Sequence, residues 1–501
     1  MARLYIFAIG GTGSRVLKSL TMLLASGVKP NSDTEFEIVP IIIDPHKSNE
    51  DLKRTVSLLD NYQKIAEYTG NHDGFFSTRV STLDKLVTSQ NRLSGSFTFS
   101  LQEVANTRFK EYIDYNLLDD SNKSLTDLLF SGKSINKHGV PVDLLDVEMD
   151  IGFVGNPNIG SVVLNQVKDS EEFTEFASNF SANDRIFIIS SIFGGTGAAG
   201  FPTVLKNIRD ARNNSKINGV GFLQDAKIGA VTVLPYFNVE ADNESPIQKS
   251  DFIAKTKSAL SYYKDNVNSS VNALYYLADD FTGKPYKNDP GNNGQKNEAH
   301  FIEMAAALSI IDFLEIPDSE LICQGGAPLQ PIYKEFGIKN DNSELTFPDF
   351  SDYTERQISL RMSQLFLFKK FLHEQISSSA EKEAWTEDEP KINKRFLDSP
   401  FYRTNLLEFL QSYEDWLLEM SNNRRGFSPF NNSANLDSFI KGKKVKSGPF
   451  GIGSGFNYHD FNNKLSKISK GVQYPTGANK ILNLFFKATE DLLKSKYGIN
   501  K

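Results

Sequence analysis

Cysteine is almost missing from this chain: one residue, Cys323, among 501. No internal disulfide framework can be built, which suits a reducing compartment. A surplus of positive charge is also missing. The net charge is −7 and the pI about 5.6, which excludes a general nucleic-acid coat. No apolar run approaches the roughly 20 residues that cross a bilayer. The start, Met1-Ala2-Arg3-Leu4-Tyr5, enters a strand pattern with no leader-type apolar region. A cytoplasmic protein with no membrane span is expected. Catalytic signatures are scarce as well. The six histidines do not pair at i, i+4 with another ligand, so no metal site is expected. No Gly-x-Ser-x-Gly elbow occurs, and no Gly-Lys-Ser or Gly-Lys-Thr follows any glycine loop.

Glycine loops are what the chain does have. "LYIFAIGGTGSRVLKSL" (4–20) and "IISSIFGGTGAAGFPTVLKNIRD" (189–211) each pass from an apolar strand pattern through Gly-Gly-Thr-Gly into a helix pattern. Further strand patterns are "FEIVPIIID" (36–44), "RIFIISSIF" (185–193), "KIGAVTVLPYF" (227–237) and "NALYYLADD" (272–280). Continuous apolar strands separated by helices predict an α/β fold with a parallel sheet covered on both faces. Residues 46–150 form a polar, mostly helix-like insertion, and 281–297 a turn-rich surface loop. "EAHFIEMAAALSIIDFL" (298–314) is apolar around its axis and predicts a buried helix. Beyond it the chain is helix-dominated, with amphipathic patterns at 354–376 and 403–420. An exposed linker is expected at 377–394, and a basic glycine-rich loop at 441–456.

A glycine loop at the carboxyl end of a parallel strand presents bare backbone N–H groups, and the following helix adds its positive dipole end; together they bind phosphate. Two such loops at one sheet edge can hold a polyphosphate from two sides. Gly11-x-Gly13 could also open a dinucleotide fingerprint, with Asp44 on the ribose. Val16 stands where the third glycine of that pattern belongs, however. A tight strand-to-helix turn without a ligand is the plain alternative.

The second loop resembles the Gly-Gly-Gly-Thr-Gly signature of the tubulin and FtsZ family. Other segments agree in order. "AIGGTGSRV" looks like the family's first phosphate loop, and "GNPNIGS" (155–161) is similar to the loop facing the γ-phosphate. "AVTVLPYFNVE" (230–240) resembles its strand and loop before the second half. The helix at 298–314 stands in the place of its central helix, and "DFSD" (349–352) is similar to the synergy-loop motif. The resemblance covers roughly residues 1–355. It departs from the family at the long 46–150 insertion, at Arg15 in place of an asparagine, and in the helical segment after 354.

The resemblance implies a Rossmann-like nucleotide domain (1–297), a central helix (298–316) and a helix-rich C-terminal domain (317–501). It implies GTP or GDP with Mg²⁺ as ligands. Gly10, Gly11, Thr12, Gly13 and Ser14 would contact the α- and β-phosphates. Gly194, Gly195, Thr196 and Gly197 would form the main cradle, and Gly155, Asn156 and Gly160 would face the γ-phosphate. Asp279, Asn297 and Glu298 are candidates for the base, and Phe237 for the ribose or the core. Asp349 and Asp352 would polarise the attacking water of a neighbouring subunit, coupling GTP hydrolysis to head-to-tail self-assembly into filaments. Each has a plainer alternative: an Asn-Pro turn at 155–161, an N-cap at Asn297, a turn residue at Asp279, and a turn with N-cap at 349–352. His300 is expected to be a packed histidine. Two other readings stay open. One is a non-hydrolysing module whose C-terminal helices engage a partner protein. The other is a Rossmann-type NAD(P)-dependent oxidoreductase.

Overall fold

A computed structural model gives the architecture. It describes residues 1–499 except 71, 87–94, 137–139, 154, 214–220, 237, 240–248, 280–284, 287–296, 336–337, 339–341 and 447–454. The fold is mixed α/β around a parallel, Rossmann-like central sheet of six strands. The strands are β1 (Ala2–Ile9), β2 (Phe36–Ile43), β3 (Arg185–Ser191), β4 (Lys227–Val233), β5 (Ala273–Leu277) and β6 (Ile332–Glu335). Their spatial order is β2-β1-β3-β4-β5-β6. The helices that matter for the site are α1 (Gly10–Ala25), α2 (Glu50–Thr69), α3 (Pro157–Leu164), α4 (Glu171–Asn179), α5 (Gly195–Arg209), α6 (Lys249–Asn266) and α7 (Phe301–Glu315). Beyond them lie α8 (Asp352–Glu374), α9 (Glu408–Ser421), α10 (Tyr458–Ser469) and α11 (Gly477–Tyr497).

Alternation along the strands divides the core. Leu4, Ile6 and Ala8 of β1 face one apolar cluster, while Tyr5, Phe7 and Ile9 face another. A pleated strand sends successive side chains to opposite faces, so an unbroken apolar run buries both. The first cluster holds α1 and α7 and continues without a break into Phe368, Trp416, Phe485 and other residues of the C-terminal helices. The second holds Phe173 and Phe176 of α4 with Phe201, Val204 and Ile208 of α5.

The edge at β2 shows a local cause. The N–H groups of Ile38 and Ile42 donate outward, to Arg79 and Phe97 carbonyls. Residue 40 lies midway in the same outward register and is a proline, with no N–H to give. Among the described residues the outer pairing is accordingly reduced to two single parallel bridges, Ile38 with Val80 and Ile42 with Thr98.

Three expectations need correction. The 377–394 stretch is not an exposed linker, because Trp385 and Ile392 are both fully buried. The 46–150 insertion is helical mainly in α2 and at Asp120–Leu129; its other described parts are short turns and a hairpin (133–135 with 141–143). Phe99, Phe109, Leu144 and Met149 tie it into the second cluster. The helix expected at 403–420 begins as a π-helical segment, Phe401–Leu407, before α9. Of the loop expected at 281–297 most lies outside the described residues. In the basic loop at 441–456, Lys441 and Lys443 are paired with Glu344 and Glu355.

Candidate functional site

The sheet order creates the site. From β1 the chain returns beside it on one side as β2, while β3 lies on the other side of β1. The helices that follow these strands part company: α1 packs in the first apolar cluster and α5 in the second. Where neighbouring strands send their helices to opposite faces, a crevice opens at the carboxyl ends of the strands. Both Gly-Gly-Thr-Gly loops sit at that point.

They touch. Gly10 has φ +71°, and a Cβ placed on it would lie 3.4 Å from the Thr196 Cβ and 3.5 Å from the Gly197 nitrogen. The 152–160 loop closes on the same place. A Cβ on Gly195 would lie 3.0 Å from the backbone nitrogens of both Gly155 and Asn156, and one on Gly152 4.0 Å from Thr196 Oγ1. Three loops thus converge, and each opens a helix: α1, α5 and α3.

The N-terminal ends of these three helices share a feature. Their N-cap residues are Ile9, Gly194 and Asn156, none of which caps with its side chain, and none of the three helices has an acidic residue in its first turn. Side chains do cap α2 (Asn49), α4 (Ser170), α7 (His300), α8 (Ser351), α10 (Asn457) and α11 (Thr476). An uncapped N-terminus leaves N–H donors facing outward at the positive end of the dipole. Three of them facing one crevice fit an anion with several oxygens, such as a polyphosphate.

The glycines divide by role. Gly13, Gly160 and Gly197 are packing glycines: a Cβ on each would come within 2.6 Å of the Ala8 carbonyl carbon, 2.8 Å of the Ala199 Cβ and 2.6 Å of the Ser191 oxygen. Gly11 and Gly194 are half-buried lip positions with more room. Thr12 and Ser14 are buried, and Ser14 Oγ donates to the Gly10 carbonyl. The Asn156 amide donates to Ser134 Oγ and to the Phe153 carbonyl, both at 3.1 Å.

Asp44 ends β2 beside the first loop and is buried. Burial pushes its carboxyl up to about 7, against the His46 N–H and the Arg15 charge, which pull it down. The His46 N–H donates to Asp44 Oδ1 at 2.9 Å.

The residues expected at the base are held by other parts of this chain. Asp279 Oδ1 accepts from Arg425 at 2.7 Å, and Oδ2 lies 3.9 Å from His300 Nε2. Asn297 donates its backbone N–H and its amide to Asp51. It is not the cap of α7; His300 is, its Nδ1 accepting from the Ile302 N–H. Glu298 is exposed, and Phe237 lies outside the described residues. Asp349 is buried in a turn: Oδ2 accepts from the Thr346 N–H and hydroxyl, both at 2.8 Å, and Oδ1 from Asn342 at 2.9 Å. Asp352 is exposed in the first turn of α8.

Sequence reasoning missed a buried ion chain beneath the first loop. Arg15 donates to Glu303 (2.6 Å), to the Tyr236 hydroxyl (2.8 Å) and, more distantly, to Asp51 and Thr12. Asp51 also pairs with Arg54 (2.8 Å), Arg54 with Glu419 (2.7 Å), and Glu419 with Lys18 (2.8 Å). Three cations alternate with three carboxylates, joining α1, α2, α7 and α9. One signal was readable: Glu303 is a carboxylate in the apolar first half of α7, and a buried carboxylate needs a cation.

Among the described residues no group of three or more His, Cys, Asp or Glu could hold a metal ion, and no helix is long and apolar enough to cross a membrane. No protein-family model and no curated protein matches the sequence. Among solved structures the chain is similar to CetZ from Methanosaeta thermophila strain DSM 6194, with 12% identity and a TM-score of 0.27. That match covers 64% of this chain and 56% of the other, so the chain spans little more than half of that structure's length.

Proposed function

We propose that this chain binds a nucleoside triphosphate, GTP by the resemblance, in the crevice between β1 and β3. Residues 10–14 take the α- and β-phosphates, residues 194–197 form the cradle, and the 155–160 loop lies toward the γ-phosphate. Mg²⁺ accompanies the phosphates and neutralises part of their charge. The observation that carries the reading is the meeting of three uncapped helix N-termini at the switch point of the sheet. Calorimetric titration of nucleotide-stripped protein with GTP, GDP, ATP and NAD(H) tests it. Saturable GTP binding, weakened about a hundredfold by Gly194→Asp, supports it; a carboxylate there repels the phosphates in a partly buried site. Absence of any triphosphate binding at millimolar concentration sinks it, and NAD(H) binding alone would favour the oxidoreductase reading.

By the same resemblance, hydrolysis belongs to a head-to-tail assembly in which Asp349 and Asp352 complete a neighbour's site. The rate of phosphate release per chain then rises with protein concentration, and filaments appear by electron microscopy with GTP. One observation favours the non-hydrolysing reading instead: both Asp349 carboxylate oxygens already accept hydrogen bonds within this chain, Oδ2 from Thr346 and Oδ1 from Asn342. Bound nucleotide with no phosphate release at any concentration selects that second reading.

A further inference from the structure

Two side-chain donors flank the three-loop crevice. The first is Asn49, the N-cap of α2. Its Oδ1 accepts from the Asp51 N–H at 2.8 Å, which fixes the amide and sends Nδ2 the other way. A Cβ on Gly11, at the lip, would lie 4.0 Å from that Nδ2. Asn49 is 5% exposed, and among the described residues its Nδ2 has no hydrogen-bond partner. Unlike Arg54 Nε in the interior, it is not sealed from the surface. A nearly buried donor without an acceptor is disfavoured, and this one stands where an anion would arrive.

The second is Lys255 of α6. Its Nζ donates to the Gly155 carbonyl at 3.0 Å and would lie 3.7 Å from a Cβ on that glycine. Lys255 is exposed, and among the described residues no carboxylate pairs with it. An ammonium carries three protons, and the carbonyl takes one. The 194–197 loop touches both Gly10 and Gly155, so it lies between the two donors.

We propose that Asn49 and Lys255 make the crevice a gauge of polyphosphate length. The inference rests on the nucleoside triphosphate reading above. Asn49 Nδ2 donates to a phosphate oxygen at the 10–14 loop, which a diphosphate and a triphosphate both supply. Lys255 donates to the third phosphate at the 155–160 loop, which only a triphosphate supplies. A charged oxygen is a stronger acceptor for an ammonium than the neutral carbonyl that now holds it.

The test is calorimetric titration of the full-length, nucleotide-stripped chain with GDP and with GMPPNP, a triphosphate that resists hydrolysis, both with Mg²⁺. Asn49→Ser keeps a capping oxygen for the Asp51 N–H but removes Nδ2. It is expected to weaken both ligands alike, about tenfold, the scale of a hydrogen bond to a charged group. Lys255→Gln can still donate to the Gly155 carbonyl but carries no charge. It is expected to weaken GMPPNP about fivefold, the upper end for a charge pair at the surface, and to leave GDP as in the parent. Lys255→Arg is expected to keep the parent's preference. A glutamine variant that keeps that preference shows a tether for the loop and overturns the gauge, as does a loss shared equally by the two ligands. Unchanged binding of both ligands by Asn49→Ser overturns it as well. A parent that binds neither ligand sinks the triphosphate reading itself; a parent that binds both, with a preference that Lys255→Gln does not move, sinks the gauge alone.

Discussion

Arg15 Nε lies 2.6 Å from Glu303 Oε1, joining the helix of the first glycine loop to the helix that runs through the middle of the molecule. Both side chains are buried, and Asp51, the second carboxylate on the same guanidinium, is wholly so. Removing the cation therefore strands charges that water cannot reach. Arg15→Ala is expected to lower stability by about 3–5 kcal/mol, the usual cost of breaking a buried pair from one side. Arg15→Lys keeps the charge but loses the fork that serves Glu303, Tyr236 and Asp51 together, so an intermediate loss is expected. Urea unfolding of the three proteins checks the order; an alanine variant as stable as the parent would show that the chain of ions carries no net stability.

The two classes of glycine give a second, separable expectation. Gly13→Ala forces a methyl to 2.6 Å from a backbone carbon and is expected to destabilise the fold by about 1–3 kcal/mol. At Gly11 the nearest atoms are the ends of two side chains, Arg15 Nη1 at 3.5 Å and Asn49 Nδ2 at 4.0 Å, so the fold tolerates a methyl. That methyl stands at the lip of the crevice. Gly11→Ala should leave the melting temperature in place while weakening triphosphate binding about tenfold, by holding phosphate oxygens off the backbone N–H groups. Equal melting and equal binding in both variants would remove the lip from the site.

Much of the sheet was readable because its strands are local. "FEIVPIIID" and "RIFIISSIF" are buried along their length apart from the half-buried Phe193, and no partner needs to be known to read them. The two Gly-Gly-Thr-Gly loops were readable in the same way, at the ends of "LYIFAI" and "RIFIISSIF". Other features depend on distance. Glu303 meets Arg15 across 288 positions, and Lys18 meets Glu419 across 401, so nothing nearby in the chain names the partner in either bond. Trp385 sits in a stretch as polar as a linker, and only the packing of the C-terminal helices buries it. β6, four residues with alternating exposure, carries too little apolar character to stand out.

Asp349 and Asp352 can be told apart by which quantity moves. Asp349 closes a capping box with Thr346. Asp349→Ala should cost about 0.5–2 kcal/mol of stability whatever its part in chemistry. Asp352, exposed at the start of α8, contributes only a few tenths through the helix dipole. If Asp352 acts on a neighbour's nucleotide, Asp352→Ala slows phosphate release at high protein concentration while melting stays put. Unaltered release from a chain that hydrolyses GTP would take Asp352 out of the reaction.

Acid and base sides of the stability profile should be set against each other by two buried groups. Burial raises Asp44 from 3.8 to about 7, so the folded chain keeps a proton that the unfolded chain has released. Its contribution is complete below the unfolded value and is lost as pH rises through about 7. His300 runs the other way. Burial, then the charges of Arg15 and Arg425, lower it from 6.5 to about 3, so the unfolded chain takes up a proton that the folded chain refuses. Its contribution is complete above the unfolded value and fades as pH falls toward about 3. Between about pH 4 and 6.5 the two slopes oppose and largely cancel. Asp44→Asn keeps an oxygen for the His46 N–H but cannot titrate, so only the His300 slope remains. Relative to the parent, the variant should gain roughly 1.4 kcal/mol per pH unit across that window, toward roughly 4 kcal/mol in all. Urea midpoints at several pH values measure this directly, and parallel profiles for parent and variant would mean that Asp44 titrates as it does in the unfolded chain.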